Sequence, residues 1–92
     1  MSNSEWKLNT DYALASYANG VEAGEEVRLR KDLIICDHRG KPTGKIRPAG
    51  EVWTVLAGTL DEPEVVWLRD GSGDRHTWDL SSFFEWFERA GV

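Results

Sequence analysis

Between Gly24 and Asp79 the sequence contains short runs rich in β-branched, aliphatic and tryptophan residues, separated by turns that contain glycine. Runs of this length and spacing are typical of strands, whereas helices need longer periodic segments. The pattern therefore predicts a mainly β domain, and it identifies no substrate or reaction. The runs predicted as strands are residues 27–29, 33–36, 51–56, 65–68 and 76–78.

The length of 92 residues allows one domain, which buries a smaller fraction of its surface than a longer chain does. We therefore expect the core to depend on aromatic rings, each of which buries roughly 150–250 Å². Residues 1–20 are predicted to form an arm, over residues 1–9, and a short helix, over residues 12–18, that stops at Gly20. Residues 21–92 are predicted to form the main domain.

A single cysteine, Cys36, cannot form an internal disulfide, so a disulfide-stabilised secreted scaffold is not expected. Residues 1–20 lack the basic start and the apolar run of an export signal. No segment reaches the roughly 18 apolar residues that a membrane span requires. The sequence therefore predicts a cytoplasmic protein without membrane contact.

The net charge of −5 is unevenly distributed along the chain. Residues 24–50 carry a net charge of +3, whereas residues 51–92 carry a net charge of −6. Charge asymmetry of this kind affects the choice of partner more than the fold. The basic residues follow a phosphate backbone in one interpretation, and they contact an acidic protein surface in another.

Turn-forming residues dominate residues 37–50, so this segment is predicted to be a long basic loop. The uninterrupted apolar run at residues 33–36 indicates a strand that is covered on both sides or that switches sides.

The C-terminal segment has two interpretations. Ser82 followed by Glu85 has the spacing of a capping box, which favours a helix. The alternative is a tight turn at residues 80–83 followed by a last strand, with Phe84 and Trp86 on one side. We favour the turn and strand, because a barrel needs a closing partner for its first strand.

The order of these elements resembles the SH3-like barrel. The matching features are a Gly-x-x-Val strand start at Gly24, a long loop at residues 38–50, two or three tightly joined antiparallel strands, and a one-turn helix with a short final strand at residues 80–84. The resemblance implies a small SH3-like barrel of about five antiparallel strands, here preceded by the short N-terminal helix. Because most proteins that resemble this fold bind peptides or nucleic acids, it also implies binding rather than catalysis.

One enzyme family with this fold, the type II dihydrofolate reductases, is similar at Gly24, Val27, Arg28 and residues 44–46. The site tetrapeptide of that family, Val-Gln-Ile-Tyr, would fall at residues 75–78, where only the final aromatic residue is similar. The reductase activity is therefore not expected of this chain.

The sequence thus favours a small non-enzymatic module for protein–protein interaction, with another protein or a second copy of itself as the partner. Its size and its lack of catalytic motifs resemble those of accessory proteins of mobile genetic elements. The alternatives are a nucleic-acid-binding barrel that uses residues 28–47 and an enzyme with a site at an oligomer interface. Cys36 and His38 match no zinc-site spacing, and neither a metal nor a cofactor is expected. The residues predicted to contact a partner are Arg39, Lys41, Lys45, Arg47, Trp53 and Trp78.

Overall fold

A computed structural model describes residues 13–14 and 16–90 of the chain. These residues are mainly β, as the sequence predicts, and they include two short helical segments, a 3₁₀ turn and a single α-helical turn. The elements are β1 (Ala13–Leu14), β2 (Glu26–Leu29), β3 (Leu33–Cys36), β4 (Pro42–Arg47), β5 (Val52–Leu56), β6 (Gly58–Thr59), β7 (Val65–Arg69), β8 (Arg75–Asp79), a 3₁₀ turn (Leu80–Ser82), α1 (Phe83–Trp86) and β9 (Phe87–Arg89).

The main sheet has five antiparallel strands in the order β8, β7, β5, β2 and β9. A separate hairpin is formed by β3 and β4, and β1 pairs with β6. All five predicted strands are confirmed, with bounds that agree within one residue. The predicted antiparallel pairing across the turn after residue 69 is also confirmed, because β7 and β8 pair from Val65 opposite Asp79 to Arg69 opposite Arg75.

The core lies on one face of the main sheet, where side chains alternate between buried and accessible positions along each strand. Val27, Val55 and Leu68 are buried on three different strands, and α1 and β9 add two phenylalanine rings. The prediction of an aromatic and aliphatic core is therefore confirmed. The buried hydrophobic residues are Tyr17, Val21, Val27, Leu29, Trp53, Val55, Val66, Leu68, Phe83 and Phe87.

The predicted helix over residues 12–18 is wrong for the part of it that the structure describes. Ala13–Leu14 is a strand that pairs with β6, and Ser16 forms a bridge with Glu22. The segment has no continuous apolar stripe at helical spacing, so packing decides its conformation instead. Burial of Tyr17 against the sheet favours the extended form. Residues 12 and 15 of that helix and the predicted arm at residues 1–9 lie outside the described residues.

The C-terminal segment combines both interpretations of the sequence. The predicted order of a turn and a final strand is confirmed, but the strand begins only at Phe87. The placement of Phe84 and Trp86 on one side of that strand is wrong, because both lie in α1. Ser82 makes no side-chain capping bond, and Asp79 instead accepts a hydrogen bond from the Ser81 N–H at the start of the 3₁₀ turn. No helix among the described residues has the length and hydrophobicity needed to cross a membrane.

The basic segment after residue 36 is a strand and a turn rather than an irregular loop. β4 pairs with β3 across a bulge, and the Asp37 carboxylate closes the turn by accepting the N–H groups of Arg39 and Lys41. The β3 residues alternate between half-buried and exposed, so neither sequence interpretation of residues 33–36 is correct. Because β4 is exposed along most of its length, it lacks the hydrophobic pattern by which strands are recognised.

Substitution of Gly58 tests how Tyr17 holds the N-terminal segment against the sheet. A Cβ atom at Gly58 would lie 2.7 Å from Tyr17 Oη. That hydroxyl donates to the Leu56 carbonyl at 2.7 Å and accepts from the Trp67 N–H at 3.2 Å. Burial raises the pKa of the Tyr17 hydroxyl, against a smaller opposite effect of the Trp67 N–H, so the donor stays protonated at neutral pH.

Gly58→Ala is expected to lower the free energy of unfolding by about 2 kcal/mol, because the added methyl group displaces the ring and breaks both bonds. Urea denaturation measures the change. In a Tyr17→Phe background, where the hydroxyl is already absent, the same substitution is expected to cost less. Equal costs in the two backgrounds would contradict this account.

Candidate functional site

A pocket of about 350 Å³ lies between the β3–β4 hairpin and the turn that joins β7 to β8. One wall carries cationic and apolar side chains of the hairpin, and the other carries polar side chains of the turn. The pocket is lined by Ile35, Lys45, Arg47, Asp70, Ser72, Asp74 and His76.

Asp70 organises the turn from a buried position, with 6% of its surface exposed. Its Oδ1 atom accepts hydrogen bonds from the Ser72 N–H and hydroxyl, both at 2.8 Å, and from the Asp74 N–H at 3.1 Å. Its Oδ2 atom lies 2.7 Å from Nε2 of His76. Gly73 adopts a φ of 98°, which permits so tight a turn. The Asp-Gly-Ser-Gly-Asp sequence thus folds around one carboxylate.

Hydrogen bonding keeps Asp70 ionised despite its burial. Burial opposes ionisation and raises the pKa, but the hydrogen bonds from His76, Ser72 and Asp74 outweigh this effect and hold the pKa of Asp70 far below its usual range. An ionised carboxylate only accepts hydrogen bonds, so Nε2 of His76 carries the hydrogen between them. The His76 ring is thereby fixed in one orientation.

The Asp70–His76 pair is not arranged as the base of a hydrolytic site. The Ser72 hydroxyl donates to Asp70 and lies 3.5 Å from Asp74 Oδ2, and it makes no bond to the imidazole. Nucleophilic catalysis by serine requires the hydroxyl to be bonded to the base that takes its proton. These three side chains are therefore joined through Asp70, without the serine–imidazole bond of that arrangement.

A chain of contacts connects the turn to the base of the hairpin. The His76 ring stacks on Trp53, with centroids 4.6 Å apart and an interplanar angle of 26°. The Trp53 indole N–H donates to Glu51 Oε1 at 2.7 Å, and Glu51 Oε2 lies 3.4 Å from Arg47 Nη1. Because Arg47 is the last residue of β4, these contacts hold the hairpin against the main sheet.

Trp53 therefore has a structural position, and the prediction that it contacts a partner is corrected. Its side chain is fully buried, because the inward register of β5 places it under the sheet next to Phe87. Arg47 is half-buried, and its charge is compensated by Glu51. Trp78 is half-buried beside Trp86, with centroids 5.4 Å apart, and it retains accessible surface on the edge strand β8.

The structure separates the predicted basic residues into two groups. Three cations of the main sheet and its flanking segments lie in ion pairs with acidic side chains: Arg28 with Glu88, Lys31 with Glu85, and Arg89 with Glu25. On the hairpin, Arg39, Lys41 and Lys45 form no ion pair with any described residue. Three cations without an ion pair are thus clustered on the hairpin, while Arg30, Arg69 and Arg75 outside it also form no ion pair with a described residue.

Two isoleucines on the hairpin form an apolar surface that the sequence analysis missed. Ile34 and Ile46 lie directly opposite each other, and their exposed fractions are 57% and 55%. The alternation Lys45-Ile46-Arg47 was the available signal, since a strand with this pattern presents its isoleucine on the face opposite its cations. The hairpin therefore presents the apolar pair on one face and Lys45 on the other.

Among the residues that the structure describes, no group of three or more histidine, cysteine, aspartate or glutamate side chains is placed to hold a metal ion. No protein-family model, curated protein or solved structure matches this chain.

Proposed function

We propose that the protein is a small non-enzymatic binding module of the SH3-like barrel type, and that the β3–β4 hairpin binds an acidic segment of another protein. The order of the main sheet, with a hairpin inserted between β2 and β5 and a helical turn between β8 and β9, supports the barrel type. The exposed thiol of Cys36 favours a reducing compartment such as the cytoplasm.

The observation that carries this proposal is the cluster of three cations without an ion pair on one hairpin. The ion-paired cations of the main sheet have their charge compensated in place, whereas Arg39, Lys41 and Lys45 have theirs available for a partner. Ile34 and Ile46 add exposed apolar surface, which marks interaction sites more often than random surface. A partner segment that combines acidic and apolar side chains and contacts both faces of the hairpin complements both features.

A nucleic-acid partner is the second candidate, and the charge distribution argues against it. Affinity for a phosphate backbone grows with the number of phosphates that a protein neutralises. The hairpin supplies few uncompensated cations, and the whole chain, with a net charge of −5, repels a polyanion. An acidic protein segment needs fewer cations for binding than a phosphate backbone does.

A peptide titration tests the proposal. The probe is a short peptide in which glutamate alternates with leucine, and the readout is the shift of backbone amide signals in nuclear magnetic resonance spectra. We expect shifts concentrated at residues 33–47. Lys41→Ala combined with Lys45→Ala is expected to weaken binding about tenfold, because each exposed ion pair contributes up to about 1 kcal/mol.

The matched control is Arg28→Ala combined with Lys31→Ala, which removes the same charge from the main sheet and is expected to leave the peptide affinity nearly unchanged. A second control peptide replaces each glutamate with glutamine and is expected to bind more weakly. Equal weakening by the two double variants would overturn the hairpin as the site. Tighter, salt-sensitive binding of a DNA duplex than of the acidic peptide would favour the nucleic-acid alternative.

A further inference from the structure

The outer edge of β8 is an unpaired strand edge at one end of the main sheet. The strand pairs with β7 on one side, and no described strand pairs with it on the other. Its register with β7 continues without a bulge, and it contains no proline. Bulges and prolines are two of the features that protect edge strands in natural proteins, because an open edge recruits a further strand.

The hydrogen bonds that flank the β7–β8 ladder show which backbone groups face outward. The Asp70 N–H donates to the Asp74 carbonyl, and the Leu80 N–H donates to the Glu64 carbonyl. Hydrogen-bonded and non-hydrogen-bonded pairs alternate along an antiparallel ladder. Counting from either end, the pair that contains Thr77 is not hydrogen-bonded, so the N–H and carbonyl of Thr77 point away from β7.

We propose that β8 pairs with β8 of a second copy of this chain, antiparallel and centred on Thr77, so that the main sheets of two protomers join into one. A twofold axis through this position places Thr77 opposite Thr77 of the partner subunit, where the outward N–H and carbonyl groups bond each other. Arg75 then lies opposite Asp79 of the partner subunit, and Asp79 lies opposite the partner's Arg75.

Charge complementarity singles out a second copy as the occupant of this edge. Arg75, Thr77 and Asp79 are exposed and share the outer face of the strand. Opposite charges stand at equal distances on either side of the centre, so the pairing places two cations opposite two anions. Arg75 also lies opposite Arg69 of β7, a like-charge pair that an acidic partner residue would relieve.

The inner face of β8 supports the same register. His76 and Trp78 flank Thr77, and both are half-buried. In the proposed dimer His76 lies opposite the partner's Trp78, and Trp78 lies opposite the partner's His76. These two aromatic pairs cover the accessible surface of Trp78 that the core leaves uncovered. This interface uses no residue of the hairpin, and it goes beyond the proposed function.

Sedimentation velocity over a wide range of protein concentrations tests the proposal. The protein is expected to show reversible dimerisation, and Arg75→Glu is expected to weaken it by about thirtyfold, because two ion pairs become two repulsive pairs. Arg75→Glu also replaces the like-charge pair with Arg69, so the variant is expected to fold at least as stably as the parent. Asp79→Arg is expected to weaken dimerisation similarly.

A mixture of the two single variants provides the decisive experiment. In a mixed dimer the glutamate introduced at position 75 faces the arginine introduced at position 79, and the unchanged Arg75 and Asp79 face each other. Both ion pairs are restored, so the mixture is expected to dimerise about as tightly as the parent, whereas each variant alone dimerises more weakly. Thr77→Pro, which removes an outward N–H without affecting the bonds to β7, is expected to abolish dimerisation.

Ile34→Ser combined with Ile46→Ser is the matched control for a dimer that forms through the hairpin, and it is expected to leave dimerisation unchanged. A monomeric parent protein at every concentration would overturn the proposal. A dimer that survives Arg75→Glu and Thr77→Pro, or one that is lost only in the isoleucine variant, would overturn it as well.

Discussion

Trp53→Ala is expected to lower the free energy of unfolding by about 4 kcal/mol, the largest effect of any substitution considered for this protein. Trp53 is fully buried and contacts Phe87 and the edge of Trp78 within the core. The substitution leaves a cavity under the sheet. It also removes the ring on which His76 stacks and the N–H that donates to Glu51. Since small domains are stable by about 5–15 kcal/mol, much of the stability would be lost.

Urea denaturation of the variant measures this change, and Trp86→Ala is the matched control. Trp86 is a half-buried tryptophan whose removal deletes the same side-chain volume at a position nearer solvent. We expect the control to lose about half as much stability, because less apolar surface returns to water. If both variants lost the same small amount, Trp53 would not have the central place in the core that its burial indicates.

The main sheet could be predicted from the sequence because its strands have one face in the core. In β2 the buried Val27 and Leu29 alternate with charged residues, and this period of two is a strong signal for a strand. The β7–β8 hairpin could also be predicted, because the residues of the Asp-Gly-Ser-Gly segment favour tight turns. Local pattern and tertiary environment agree at these positions.

Prediction failed where tertiary contacts, rather than local pattern, decide the conformation. β4 is exposed along most of its length, and it is held by pairing with β3 and by the turn around Asp37. The Ala13–Leu14 strand depends on pairing with β6, which lies more than forty residues away along the chain. Neither segment carries a hydrophobic period, so its partner cannot be inferred from its own residues.

The candidate site shows the same division. The cations of the hairpin were visible in the sequence, but the acidic residues that pair with Arg28, Lys31 and Arg89 lie more than fifty residues away along the chain. The orientation of Trp53 depends on the register of β5, and a shift of one residue would have turned its ring outward. Burial of Asp70 and its contact with His76 likewise require the complete turn.

Asp70→Ala is expected to lower the free energy of unfolding at neutral pH by about 3 kcal/mol. The change leaves the Ser72 and Asp74 N–H groups and the His76 ring without their common acceptor, and part-buried donors that lose a charged acceptor carry a desolvation cost. Ser72→Ala, which removes a single hydroxyl donor, is the control and is expected to cost about 1 kcal/mol. Thermal and urea denaturation compare the two variants.

Ionisation of the Asp70 carboxylate also makes the free energy of unfolding depend on pH. The folded protein holds the pKa of Asp70 far below its usual range, and the unfolded chain restores a pKa near its ordinary value of about 4. Above that value both states are ionised, and the stabilisation is complete. As the pH falls below about 4 the unfolded state takes up the proton first, so the free energy of unfolding decreases until the folded state is protonated as well.

Asp70→Asn separates this titration from the loss of packing. Asparagine has nearly the same shape and retains an acceptor oxygen for the Ser72 and Asp74 N–H groups, but it does not titrate. The variant is expected to be less stable than the parent at neutral pH and to lose less stability on acidification, so the two curves should converge below pH about 4. Parallel curves would show that other carboxylates govern acid unfolding and that the bonds to Asp70 contribute little to the stability of the fold.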